Sequence, residues 1–140
     1  MRLDYAFLAD NIQIQSGKLY VLGGDIDRIW AVEFPCSPRV ALVQKFVLDP
    51  GELDRPHKFT VVVMDADGRK IFVADQEVKV ERNPQNESWR EQGFLLPAEF
   101  IGALKFEKAG DYSFEILVDG TNLKSLPLHV IPQVQEPTAV

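Results

Sequence analysis

The residues of this 140-residue chain with the most obvious chemistry lie between Asp49 and His57, in the run DPGELDRPH. Asp49, Glu52 and Asp54 supply carboxylates, Arg55 a fixed positive charge and His57 an imidazole. Asp54 beside His57 would orient the ring as a general base, as carboxylate–imidazole pairs do. Nucleophilic catalysis also needs an activated Ser, Thr or Cys and an oxyanion hole, and no nucleophile motif accompanies the pair. Turn chemistry accounts for the same residues, since Asp, Pro and Gly set tight bends. No catalytic residue is assigned.

Metal and cofactor chemistry fare no better. Asp65-Ala66-Asp67-Gly68 offers two carboxylates, with Asp25 and Asp27 as the only reserves, whereas calcium takes about six to eight oxygens. Asp-Gly between two strands is more simply a hairpin turn. Two histidines and one cysteine show no zinc spacing. Gly23-Gly24 lacks the strand–loop–helix setting of a phosphate loop and reads as a bend. Cys36 has no basic neighbour closer than Arg39 to activate it, and His129 falls on an outward parity. The expectation is no metal and no cofactor.

Trp89 differs, because Glu87, Ser88, Arg90 and Glu91 around it give no apolar periodicity that would draw it inward. Exposed Trp and Arg dominate protein interfaces; a Trp folded back over a sheet edge is the competing reading. Arg55, His57, Arg82, Trp89 and Arg90 form the candidate interaction surface.

The elements that must position these residues are strands. GDYSFEILVDGTNLKSLPLHV, from Gly110 to Val130, holds two alternating runs joined by Asp119-Gly120, the strongest short-range hairpin signal. Tyr112, Phe114, Ile116 and Val118 share one face, as do Leu126, Leu128 and Val130. Val40 to Leu48 is almost wholly apolar, which suits a central strand covered on both faces. Parity shifts predict bulges near Asp10-Asn11 and between Ala74 and Gln76. Pro97 to Phe100 is read as one helical turn. The predicted core is Phe7, Trp30, Leu42, Phe46, Val61, Val63, Tyr112, Phe114, Ile116 and Leu128. The pattern indicates an all-β fold, an antiparallel β-sandwich of about eight strands, immunoglobulin-like in the placing of Tyr112 as a corner tyrosine. Residues 1–131 form one domain and 132–140 a flexible C-terminal tail.

A net charge of −6 with scattered Lys and Arg argues against nucleic acid and anionic membrane as partners. A single cysteine, no secretory leader and no long apolar run point to a cytoplasmic protein.

LDYAFLAD (Leu3 to Asp10), GKLYVLGG (Gly17 to Gly24) and DRIW (Asp27 to Trp30) are distinctive together. With Asp54-Arg55-Pro56, Asp65 to Gly68 and GDYSFEILVDG (Gly110 to Gly120), the chain resembles a family of small uncharacterised bacterial proteins across about residues 2–130. The resemblance implies a stand-alone β-sandwich in a bacterial cytoplasm and carries no activity or site residues with it.

If strands alternate in direction after Val40, the 49–57 loop, the 81–92 loop and the Asp119-Gly120 turn share one rim. Loops on a rigid sandwich are where such folds place binding. The expected function is a non-catalytic protein-interaction or adaptor domain with an unidentified protein partner, acting as a monomer or a homodimer. The alternative is a small-molecule or carbohydrate binder, or a weakly marked hydrolase, using the 49–57 loop.

Overall fold

Strict apolar–polar alternation commits most of the chain to strands, and a computed structural model, which describes residues 1–134, forms ten of them. They are β1 (Arg2–Gln15), β2 (Lys18–Ile26), β3 (Arg28–Ala31), β4 (Val40–Leu48), β5 (Pro56–Asp65), β6 (Lys70–Lys79), β7 (Gln92–Leu95), β8 (Ala98–Phe100), β9 (Gly110–Val118) and β10 (Thr121–Pro132). One sheet runs β2-β1-β4-β7, with β8 also paired to β4; the other runs β3-β10-β9-β5-β6. The architecture is all-β and sandwich-like, and one cluster drawn from both sheets fills the space between them. Among the described residues no helix is long and apolar enough to cross a membrane.

The clearest patterns in the sequence are realised directly. β9 and β10 pair through Asp119-Gly120, where φ values of 49° and 84° give the two left-handed positions of a type I′ turn. β4 is central. Val40, Leu42, Phe46 and Leu48 enter the main core, while Ala41 and Val43 join a second cluster with Ala9 and Ile12 on the outer face. Leu42, Phe46, Val61, Val63, Tyr112, Phe114, Ile116 and Leu128 are all buried.

Elsewhere irregularities move side chains across the sheets. The β1–β4 register slips between Leu3 and Tyr5, so Leu3, Ala6 and Leu8 face the core and Phe7 packs half-buried against the second cluster. A second slip, where Leu8 pairs Ile26 and Ala9 pairs Gly24, leaves Asp25 as the extra residue, with φ 55°. On β6 the extra residue is Ile71, not one between Ala74 and Gln76, and Phe72, Val78 and Val80 face the core. At Asp27 the chain leaves the first sheet for the second, and parity restarts. Ile29 therefore packs inward while Trp30, assigned to the core from sequence, is 58% exposed.

Other expectations are corrected too. Pro97 to Phe100 holds no helical turn: Ala98–Phe100 extends along β4 just past the break at Leu96-Pro97, where the Leu96 N–H reaches the Gln44 carbonyl at 2.8 Å. The ladder is not wholly antiparallel, because β3 runs parallel to β10. Splitting at Asp27 and at Pro97 takes the count past eight. β10 continues to Pro132, and the Gln133 N–H bonds the Ala31 carbonyl at 2.8 Å, so the sheet reaches into the expected tail. Residues 135–140 of that tail lie outside the described residues.

Candidate functional site

Three connections meet at one end of the sandwich: β4 to β5, β6 to β7, and the β9–β10 turn. Backbone bonds join them. The Asp54 N–H donates to the Val80 carbonyl at 2.8 Å, and the Arg82 N–H donates to Asp54 Oδ1 at 3.0 Å. The Asp119 N–H donates to the Lys58 carbonyl, and the Lys58 N–H returns a bond to Asp119 Oδ1, both at 2.9 Å. The rim inferred from strand alternation is therefore one contiguous surface. Asp54 and Asp119 both adopt positive φ, 62° and 49°, a conformation that Asp tolerates better than most residues. That backbone aims each carboxylate at the neighbouring segment.

Asp54 does not orient His57. Its carboxylate caps the 81–92 loop, and the imidazole takes a different partner, Asp119, 62 positions further along the chain. His57 Nδ1 lies 2.7 Å from Asp119 Oδ2, and Nε2 lies 2.6 Å from the Glu52 carbonyl oxygen. A carbonyl and an ionised carboxylate only accept hydrogen bonds, so both ring nitrogens donate and the ring is an imidazolium. Burial opposes that charge, yet the bonds to Asp119 and to the Glu52 carbonyl outweigh it and raise the imidazole above its ordinary 6.5. The His57 bond, followed by the Lys58 N–H, lowers the Asp119 carboxyl. The ring is only 4% exposed, so it stands behind the rim as a brace and presents no nitrogen to solvent. Glu52 closes the network. Its carboxylate takes the Asp49 N–H at 2.9 Å and lies 2.6 Å from the Met1 ammonium.

The 81–92 loop is held by the carboxamides within it. Gln92 Oε1 accepts from the Asn83 N–H and Gln92 Nε2 donates to the Glu81 carbonyl, each at 2.8 Å. Asn83 Oδ1 accepts the Gln85 N–H at 3.0 Å. Beyond this clasp Trp89 stands 70% exposed, with the Arg90 guanidinium 5.3 Å over its ring and 2.8 Å from Glu87. Of the two readings of Trp89, the exposed one holds. Arg55 and Arg82 are also exposed and have no ion-pair partner among the described residues. Four of the five candidate surface residues thus face solvent, and His57 does not.

The other groups singled out from sequence have local structural roles. Asp65 Oδ1 accepts the N–H groups of Asp67 and Arg69 at 3.0 and 2.9 Å, which is hairpin-turn bonding. Burial raises the Cys36 thiol, the reverse of activation. His129 lies outward as expected, with Nδ1 2.7 Å from Asp111 Oδ1. Sequence reading missed Asp119 as the partner of His57. The signal available was positional: a turn Asp at the rim, beside the start of β5.

The chain belongs to a family of unknown function (DUF6941), whose model matches residues 4–131, a span that takes in both sheets. No curated protein matches it.

Proposed function

We propose that the chain is a non-catalytic protein-interaction or adaptor domain, and that the 49–57 and 81–92 loops form its contact surface. One observation carries the reading: Trp89, large and apolar, is left in solvent at the tip of a loop that the Gln92 clasp holds in shape. A pre-ordered aromatic loses little entropy on docking, and Trp and Arg are the commonest interface anchors. Arg90 lies over the Trp89 ring, and the exposed Arg55 and Arg82 on the loops of the same rim add donors that suit an acidic rim on a protein partner. The immunoglobulin-like reading has the Tyr112 hydroxyl in support, since it donates to the Lys108 carbonyl at 2.7 Å, as a corner tyrosine would. A bacterial, cytoplasmic setting and a partner that is neither nucleic acid nor membrane remain part of the proposal, supported by the lone cysteine and the net charge of −6.

The alternative use of the 49–57 loop, as a binder of small molecules or a hydrolase, has less support. Its imidazole is buried with both nitrogens engaged, and Asp54, the acid expected to orient it, is spent on a loop cap.

The test is recovery of a partner from native lysate on the tagged protein, followed by titration of that partner against Trp89→Ala. Loss of an interface anchor costs at least about 2 kcal/mol, roughly thirtyfold in affinity. The melting temperature should hardly move. A variant that melts early and still binds its partner would make Trp89 a structural residue and end the proposal.

A further inference from the structure

The end of the sandwich opposite the rim carries a pocket of its own. It has a volume of about 390 Å³ and lies between the β5–β6 turn and the segment that leads into β9. Ile71 and the Tyr112 ring form its apolar wall, and Arg69, Lys70, Lys105 and Lys108 surround it. In a chain of net charge −6, that gathering of cations runs against the average surface.

Asp65, Asp67 and Glu107 offset most of that charge and leave an excess of one cation, so what matters is how far each carboxylate is already engaged. Asp65 already accepts two backbone N–H groups of its own turn. Glu107 is 3.5 Å from Lys105, an exposed pair of little strength. Asp67 is the carboxylate whose oxygens have no hydrogen-bond or ion-pair partner among the described residues, and Arg69, Lys70 and Lys108 have no ion-pair partner there either. The Tyr112 hydroxyl spends its hydrogen on the Lys108 carbonyl at 2.7 Å, which fixes the backbone from which Lys108 extends.

We propose that this pocket binds the phosphate or diphosphate group of a small molecule. Lysine and arginine carry donors and no acceptor, and their bonds to phosphate oxygens are charge-assisted. A low-dielectric wall beside clustered cations focuses the field on an anion at the mouth. The volume falls at the lower end of ligand-pocket sizes, about 300–1,000 Å³, room for a phosphate group with a small organic body. A long polyanion is disfavoured by the acidic surface around it. The pocket is at the far end from Trp89, so the assignment stands or falls independently of the rim.

Inorganic pyrophosphate is the probe, titrated into the whole chain at constant ionic strength with sodium chloride as the matched control, and read by amide NMR shifts and calorimetry. Saturable shifts confined to residues 65–71 and 105–112 are expected. Lys70→Gln with Lys108→Gln should weaken binding at least about tenfold, as loss of charge-assisted bonds does, with an unchanged melting temperature. Asp67→Asn should tighten it severalfold, because it removes the one uncommitted carboxylate; this variant keeps the test decisive if the double variant folds poorly. Orthophosphate and glycerol phosphate, run in parallel, separate a site for the bare diphosphate from one that needs an organic body. Shifts that fail to saturate, that chloride reproduces, or that spread equally to Arg55 and Arg82 would overturn the assignment, as would indifference to Asp67→Asn.

Discussion

Replacing His57 with phenylalanine keeps a ring of similar bulk and removes both hydrogen bonds that tie the Asp119 turn to the 49–57 loop. The Glu52 carbonyl is then left without its donor beside an apolar ring, a loss of about 1–3 kcal/mol. Asp119 suffers less: it is 53% exposed and keeps the Lys58 N–H, so solvent limits that loss to about 1 kcal/mol. The expected total is about 2–4 kcal/mol in urea melts at mildly acid pH, where the imidazolium is fully formed. The pH dependence gives a sharper readout. The folded state raises the imidazole, so its stabilisation is complete below the ordinary 6.5 and disappears as pH rises through the folded value. Asp119 is lowered, so its share is present above 3.8 and is lost as pH falls through its own folded value. The wild-type protein should therefore lose stability on the alkaline side while His57→Phe does not, and the gap between them should narrow there. Parallel pH curves for the two proteins, or a cost under about 1 kcal/mol at mildly acid pH, would refute the imidazolium brace.

Phe114 is fully buried between the sheets, and Phe114→Ala should cost about 3–5 kcal/mol by urea melts, as other buried aromatic truncations do. A loss below about 1 kcal/mol would overturn the assigned face of β9. Tyr112→Phe removes only the hydroxyl bond to Lys108 and should cost about 0.5–1.5 kcal/mol, with the NMR shifts of residues 106–110 moving most.

The hairpin at Asp119-Gly120 and the doubly covered strand Val40–Leu48 were legible because composition and spacing alone impose them: alternation selects a face, and Asp-Gly selects the turn. The shared rim was legible for a geometric reason, since antiparallel neighbours bring every second connection to the same end. The places where side chains change face were not. Parity marks a bulge in the first strand and another after Asp67-Gly68, but not its position: the extra residues are Asp4, Asp25 and Ile71, and the crossover at Asp27 restarts parity with no mark in composition. Trp30 is on the surface for that reason alone. The His57–Asp119 pair was hidden differently. Asp54 was the nearer acid in sequence, and a left-handed backbone turns its carboxylate towards Arg82.

The parallel pairing of β3 with β10 has a consequence for how the molecule is assembled. Arg28 acquires its ladder partner only at His129, so the first strand laid into the second sheet must wait for nearly the whole chain before it can hydrogen-bond there. Contacts of such long sequence separation slow folding, because loop-closure entropy is lost before any bond repays it. Until β10 docks, β3 and one side of β9 both present open edges, with Trp30 beside one of them. A nascent or truncated chain that ends before Thr121 would therefore expose two unpaired strand edges at once, the state in which β-proteins are most prone to join one another.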